Sequence, residues 1–385
     1  YLLDRACEQA SGIRVRWYSG TDEYKGSVRF RTDKQQGWSS STDKASSTRF
    51  HNVGLAGLTP GEVYFYEVGK WENDAHTKLY GIRHFRALSP SSTNFKFLVY
   101  GDNRGDTNSA MIPWQDEYQE YHAAVARSML EDGADAAFIL DVGDLVRKGG
   151  TESHWCPQLF QPAACLYETI PIFPCIGNHE EARDPGAANE WTGTYFDEFF
   201  FKKRWYSFDY GNWHFICLDT NHERWFNDAN DPQRTWLSTD LAQASGKPIF
   251  VWFHQPPYST SKREGDKAVR DHLIPIFEDP ANDVRMVFNG HDHFYERNLK
   301  EGITYVITGG AGAPLNKDPW YYQNEPNGAT CLAREGWFHF CTVDVAGGDF
   351  GLAVVHDSGV PLDILGEEEG VSTFELWDEQ EEPKQ

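Results

Sequence analysis

The chain has 385 residues, 40% of them hydrophobic and 15% aromatic, which is too long for one ordinary core and apolar enough for two packed domains. Its 35 basic against 58 acidic side chains give a formal net charge of -23, which repels polyanions and excludes a nucleic-acid polymer as the expected partner. No run reaches the ~18 consecutive apolar residues of a membrane helix, so no membrane partner is expected either.

In chain order, residues 1–92 read as short alternating strands at 13–19, 26–32, 47–53, 63–69 and 81–87, separated by Gly, Ser, Asp and Lys turns. An all-β sandwich domain is expected there. From Asn94 the texture changes to apolar strands alternating with helical stretches. The strands are predicted at 95–103, 136–144, 170–178, 213–221, 248–255 and 284–292, and helices at 114–130, 239–244 and 271–277. Three further strand segments follow at 304–312, 337–345 and 350–358, so residues 93–360 are expected to form an α/β domain of mixed sheets flanked by helices. The acidic segment 361–385 reads as a solvated tail.

Seven cysteines bear on compartment. Cys156 and Cys165 flank a short loop, and Cys331 and Cys341 flank a turn at Gly336, so each pair can close a local bridge. Such bridges would place the protein in a secreted or periplasmic space. Cys175 and Cys217 sit in apolar runs and read as buried free thiols, while Cys7 is left over.

Five polar clusters lie at the ends of apolar strands: Gly101-Asp102, Gly143-Asp144, Gly177-Asn178-His179-Glu180, His254 after Val251-Trp252-Phe253, and Gly290-His291-Asp292-His293. In α/β folds the carboxyl ends of strands open on one crevice, so these groups can meet. Together they supply two carboxylates, one amide oxygen and three imidazoles. That set suits zinc, manganese or iron, and is too large for one tetrahedral zinc but right for two ions sharing a carboxylate.

In this order the motifs resemble the calcineurin-like metallophosphoesterase superfamily, over nearly all of residues 94–358. Within it they are closest to the purple acid phosphatase branch, because Gly290-His291-Asp292-His293-Phe294-Tyr295-Glu296-Arg297 mirrors that branch's GHxHxYER. Residues Leu58 to Val68 resemble the Leu-x-Pro-Gly-x-x-Tyr-x-Tyr-x-Val corner of a fibronectin type III sandwich, a domain that precedes the catalytic one in that branch. The resemblance implies a four-layer catalytic sandwich and two divalent or trivalent ions. It makes Asp144 the bridging ligand, puts Asp102 and His293 on one ion, and puts Asn178, His254 and His291 on the other. His179 would stand at the leaving oxygen as proton donor or charge stabiliser.

Two positions depart from the pattern. Arg147 stands where purple acid phosphatases keep the tyrosine that colours their iron, and Arg104 stands where other branches keep a histidine. The first-motif ion is therefore short of a ligand: it uses water, Asn103 or another group and binds weakly, or the centre works with one tight ion. Arg104 and Arg147 become candidate phosphate clamps, and His222, in the loop after residues 213–221, a candidate substrate contact. Glu180, Glu296 and Arg297 are expected to orient ligands, and the other histidines to be structural. The function implied is hydrolysis of a small-molecule phosphate ester, a monoester first, by a metal-held hydroxide. The alternatives are a phosphodiesterase of the same fold and a metal-binding adhesive module with vestigial activity.

Overall fold

The computed structural model describes residues 2–5, 12–105, 117–181, 194–200, 203–222, 226–244, 246–316, 325–359 and 361–365. Strand β1 (Leu2–Arg5), β2 (Ile13–Tyr18) and β5 (Phe50–Leu55) form one antiparallel sheet. A second joins β3 (Gly26–Arg31), β4 (Ser39–Thr42), β6 (Val63–Glu72), β7 (Ala75–Lys78) and β8 (Arg83–Arg86). Alternating burial, strict in β5, turns one face of each sheet inward onto Val15, Val28, Val53, Tyr66 and Phe85. The corner legible at Leu58 to Val68 forms: Leu58 is buried, and the Tyr64 hydroxyl accepts from Thr59 N at 3.0 Å.

The remaining strands are β9 (Asn94–Tyr100), β10 (Phe138–Asp141), β11 (Ile172–Pro174), β12 (Tyr206–Tyr210), β13 (Trp213–Cys217), β14 (Ile249–Trp252), β15 (Val284–Asn289), β16 (Tyr295–Lys300), β17 (Ile303–Thr308), β18 (Thr330–Glu335), β19 (His339–Ala346), β20 (Asp349–His356) and β21 (Pro361–Leu365). They build two mixed sheets, ordered β11-β10-β9-β19-β20-β21 and β12-β13-β14-β15-β17-β16-β18. Strands β9, β10 and β11 run parallel, as do β13, β14, β15 and β17, and in the second group β13, β14 and β17 are buried at every position. The unbroken apolar runs in the sequence have this cause.

An aromatic layer fills the space between the sheets, with Phe97 5.2 Å from Phe250 and Phe138 5.3 Å from Phe215, ring centre to ring centre. The helix Glu117–Asp132 covers the outer face of the first sheet through Val125, Ala126 and Met129. Helices Pro232–Gln243, Lys267–His272 and Ile274–Phe277 cover the second through Leu237, Leu241, Val269 and Phe277. The result is the expected four-layer α/β sandwich behind a β domain. The two parts are joined by Arg49 on Glu152 (3.1 Å), by Tyr66 on the Glu168 carbonyl (2.9 Å) and by Ser89 N on the Tyr210 hydroxyl (3.0 Å).

Three expectations need correction. The tail does not start at 361, because β21 pairs with β20 and Asp363 accepts from Arg297 Nε (2.7 Å), Arg297 Nη2 (3.1 Å) and the Tyr295 hydroxyl (2.7 Å). A buried arginine needs a carboxylate, and the strand supplies it. The loop read around residues 156–165 is helical, over Glu152–Trp155, a π turn Cys156–Phe160 and Ala164–Tyr167.

Finally, the six cysteines among the described residues are free thiols. Cys331 lies in β18 of the seven-stranded sheet and Cys341 in β19 of the six-stranded one, where its thiol reaches Thr308, so neighbours in sequence belong to different sheets. Cys156 and Cys165 are exposed on separate helical segments, and Cys7 lies outside the described residues. The pairs therefore give no support to an oxidising compartment. Among the described residues no helix is long and apolar enough to cross a membrane.

Candidate metal centre

Each polar cluster begins within a few residues of a strand's carboxyl end. Asp102 follows β9, Asp144 follows β10 and Asn178 follows β11, all from the first sheet, while His254 follows β14 and His291 follows β15 of the second. The loops come so close that side chains are excluded at the glycines: a Cβ on Gly290 would lie 2.3 Å from Asp102 Oδ2, and one on Gly177 2.2 Å from Asp144 N. Asp102, Asp144 and His291 themselves adopt left-handed backbone (φ 54°, 58° and 70°), a cost of order 1–3 kcal/mol each that the surrounding hydrogen bonds must offset.

Those bonds are specific. Buried Glu180 accepts from the amides of Asp144 (2.9 Å), Gly177 (2.9 Å) and Val146 (3.1 Å), tying the second and third loops together. Asp102 Oδ2 accepts from His291 N at 2.8 Å, linking the two sheets. Asp292 accepts from the hydroxyls of Ser259 (2.6 Å) and Ser261 (2.8 Å), and Glu296 from Thr260 N (3.0 Å), which fixes the loop carrying His291 and His293.

Within this frame the six expected ligands converge. His254 Nε2 lies 3.2 Å from Asp144 Oδ1 and 3.1 Å from Asn178 Oδ1, and His291 Nδ1 lies 2.9 Å from the same amide oxygen. His293 Nε2 lies 3.3 Å from Asp102 Oδ1, and ligand atoms of Asp102, Asp144 and His293 fall within 4.8 Å of one another. Backbone carbonyls set the tautomers, because a carbonyl only accepts. His254 Nδ1–H donates to Val142 O (2.8 Å) and His293 Nδ1–H to Pro314 O (2.7 Å), so Nε2 is in each ring the nitrogen turned inward.

That arrangement fits a cation. Asp102 Oδ1 is buried without a hydrogen-bond partner and faces the Nε2 lone pair of His293, two acceptors that repel unless a positive charge lies between them. Burial opposes charge on His254, yet Asp144 and Asp102 push it up to about 10, while burial and His254 drive His291 down to about 2. Burial likewise opposes the charge on Asp144, but His254, His179 and Arg104 hold its carboxyl well below the usual range. The centre thus gathers carboxylate, amide and imidazole donor atoms at metal-ligand spacing, with the charge of Asp144 balanced by the cationic groups around it.

His179 lies beside the six candidate ligands. Its Nδ1–H donates to Arg147 O (2.7 Å), which aims Nε2 toward Asp144 Oδ2, 3.7 Å away, and burial lowers its pKa. Arg104 also points inward. Its side chain is about 10% exposed, Nε lies 3.6 Å from Asp144 Oδ2, and Nε and Nη1 have no hydrogen-bond partner.

Other expectations fall elsewhere. Asn103 turns its amide nitrogen into the core, toward Tyr100 (3.1 Å), His122 (3.3 Å), Asp141 (3.3 Å) and Tyr167 (3.3 Å), because those buried groups need a donor. The Arg147 carbonyl meets His179 Nδ1 at 2.7 Å. His222 faces Glu181 at 2.6 Å, a buried carboxylate that also takes Arg204. Sequence reasoning missed Arg263, half exposed, whose Nη1 donates to His291 O (3.0 Å) and Asp292 Oδ1 (3.3 Å). The signal available was its place in a charged run just after the strand-end His254.

Comparison with known proteins gives the context. A family model described as Calcineurin-like phosphoesterase matches residues 73–295, and one described as Purple acid Phosphatase, N-terminal domain, matches residues 6–87. Purple acid phosphatase 15 of Arabidopsis thaliana is 26% identical over 312 residues, 68% of this chain and 53% of its own length. Purple acid phosphatase 22 of the same plant is 30% identical over 266 residues (65% and 54%), and its Probable inactive purple acid phosphatase 24 is 24% identical over 317 (69% and 49%). The chain thus spans about half the length of the curated relatives it matches.

Among solved structures, purple acid phosphatase PPD1 from yellow lupin (Lupinus luteus) seeds superposes with a TM-score of 0.73 at 18% identity, over 94% of this chain and 73% of that one. PhoD does so with a TM-score of 0.62 at 11% identity, over 94% and 91%. At such identities the likeness is one of fold.

Proposed function

The chain belongs to the calcineurin-like phosphoesterase family, and from that premise we propose that it hydrolyses small phosphate monoesters at the centre formed by Asp102, Asp144, Asn178, His254, His291 and His293. Asp102, Asp144 and His293 would hold one ion, and Asp144, Asn178, His254 and His291 a second, of zinc, iron or manganese. When bound, such ions supply Lewis-acid activation of the attacking water and neutralise charge on the phosphoryl oxygens. The observation that carries the reading is the buried, unpaired Oδ1 of Asp102 set against the lone pair of His293 inside a ring of further donors.

The chain's own groups do the rest. Arg104, buried and with Nε and Nη1 free of hydrogen bonds, supplies N–H donors and a positive charge for the phosphoryl oxygens, and Arg263 adds further positive charge beside His291. Because His179 Nδ1 is committed to Arg147 O, Nε2 is the nitrogen that carries the proton to the departing oxygen. Its lowered pKa means that a proton held there is released readily. Arg147 and His222 support this reading by orienting neighbours: Arg147 through that carbonyl, His222 through Glu181, which directly follows the Glu180 anchor.

The test is turnover by chelator-stripped full chain reloaded with zinc, manganese or iron. p-Nitrophenyl phosphate is expected to be cleaved faster than bis-p-nitrophenyl phosphate, and metal-loaded protein inactive on both esters would overturn the proposal. Faster cleavage of the diester would shift the substrate class and keep the chemistry.

A further inference from the structure

A buried guanidinium normally has a carboxylate of its own. Arg297 shows the rule here, forked on Asp363 through two nitrogens. Arg104 breaks it. The ion pair that it makes is with Asp144, the carboxylate common to both ion subsites, and at 3.6 Å that contact is too long for a hydrogen bond. Asp144 Oδ1 is already engaged by His254 Nε2 (3.2 Å) and His179 N (3.0 Å), so Oδ2 is the oxygen left for the first subsite, and Oδ2 is the atom that Arg104 faces. The main chain holds it there, since Arg104 N donates to Asp144 O at 3.2 Å.

We infer that Arg104 is a built-in counter-cation that keeps the Asp102, Asp144 and His293 subsite weak for ions until a phosphoryl group draws the guanidinium away. One ion then binds tightly, against Asn178, His254 and His291, and the other binds together with the substrate anion. The physical reason is charge. A fixed positive group a few ångströms from a divalent ion in a poorly solvated centre lowers that ion's affinity by roughly tenfold or more. An oxyanion that forks onto Arg104 takes its charge from Asp144, and by reciprocity the anion and the weak ion tighten one another's binding. The phosphate part of this inference rests on the phosphoesterase reading; the asymmetry between the two ions does not.

The test is a manganese titration of chelator-stripped full chain, followed by electron paramagnetic resonance, with and without inorganic phosphate. Wild type is expected to take one Mn²⁺ tightly and a second at least roughly tenfold more weakly, with phosphate tightening the second. Arg104→Gln should tighten the second site without phosphate and reduce what phosphate adds. Arg104→His, which restores a ligand, should give two comparable sites and the spectrum of a spin-coupled pair. If Arg104→His does not fold, Arg104→Gln decides.

Two equal sites in wild type, or a weak site unmoved by Arg104→Gln, would overturn the inference. Turnover of p-nitrophenyl phosphate, measured separately, keeps the two proposals apart. Equal sites with turnover intact sink the inference and spare the hydrolase reading. Asymmetric loading relieved by Arg104→Gln, with no turnover in any form, supports the inference and sinks that reading.

Discussion

Replacing Glu180 by alanine removes the acceptor for the amides of Asp144, Gly177 and Val146, bonds of 2.9, 2.9 and 3.1 Å in a fully buried site. Each stranded donor costs about 1–3 kcal/mol, and with water entering part of the space the sum is roughly 3–5 kcal/mol. Glu180→Gln separates hydrogen bonding from bulk. Its carbonyl oxygen can take over both bonds now made by Oε2, while its amide faces Val146 N, so a loss of about 1–2 kcal/mol is expected. Burial raises Glu180 to about 8, so the neutral amide is also close to the side chain's own charge state. Urea unfolding followed by tryptophan fluorescence measures both variants, and the loop displacement should lower manganese uptake in the order alanine below glutamine below wild type. An alanine variant within about 0.5 kcal/mol of wild type would refute the reasoning, since three unpaired buried amides cannot be that cheap.

Asp144→Ala and His291→Ala should each lower turnover of p-nitrophenyl phosphate by roughly 10³-fold or more, and bound metal with it; full activity in either would remove that residue from the centre. His179→Asn should lower turnover by roughly 10²-fold with metal content unchanged, which separates proton delivery from ion binding. His214 lies between Asp209 (2.8 Å) and Asp240 (2.9 Å); burial opposes its charge, but the bonds to Asp240 and Asp209 outweigh burial and raise its pKa above 6.5. Its contribution to stability is therefore complete below that value and lost as pH rises through the folded-state pKa, and His214→Gln should flatten the fall of the melting temperature as pH rises above 6.5. Without reductant, iodoacetamide should label Cys156 and Cys165 in the native protein and spare Cys175 and Cys217, which are buried and whose thiols burial pushes well up. Protection of the first two by a bond that reduction breaks would restore the case for an oxidising compartment.

The convergence of the candidate ligands was legible because its physics is local. A glycine, an aspartate or a histidine at the end of a buried parallel strand has one place to go, and five such strand ends in two sheets share it. Asn103 shows the limit. Nothing in Gly101-Asp102-Asn103-Arg104 distinguishes the side chain that faces the ions from the one that faces Tyr100 and Tyr167, because that depends on a left-handed backbone at Asp102. The cysteine pairs failed for a related reason: nearness in sequence says little when β18 and β19 lie in different sheets. Asp363 was lost in an acidic tail, since only the buried Arg297 makes its carboxylate structural rather than solvated.

The two sheets contribute three residues each to the centre: Asp102, Asp144 and Asn178 come from one, and His254, His291 and His293 from the other. An ion seated at either subsite would thus be a rivet through both halves of the sandwich, and the spacing of its ligands would be gauged by the aromatic rings of Phe97, Phe138, Phe215 and Phe250 packed edge to face between the sheets. Core packing and ion affinity then become one mechanical quantity. Shaving a ring in that layer would be read out at the centre as a change of bite, with no ligand touched.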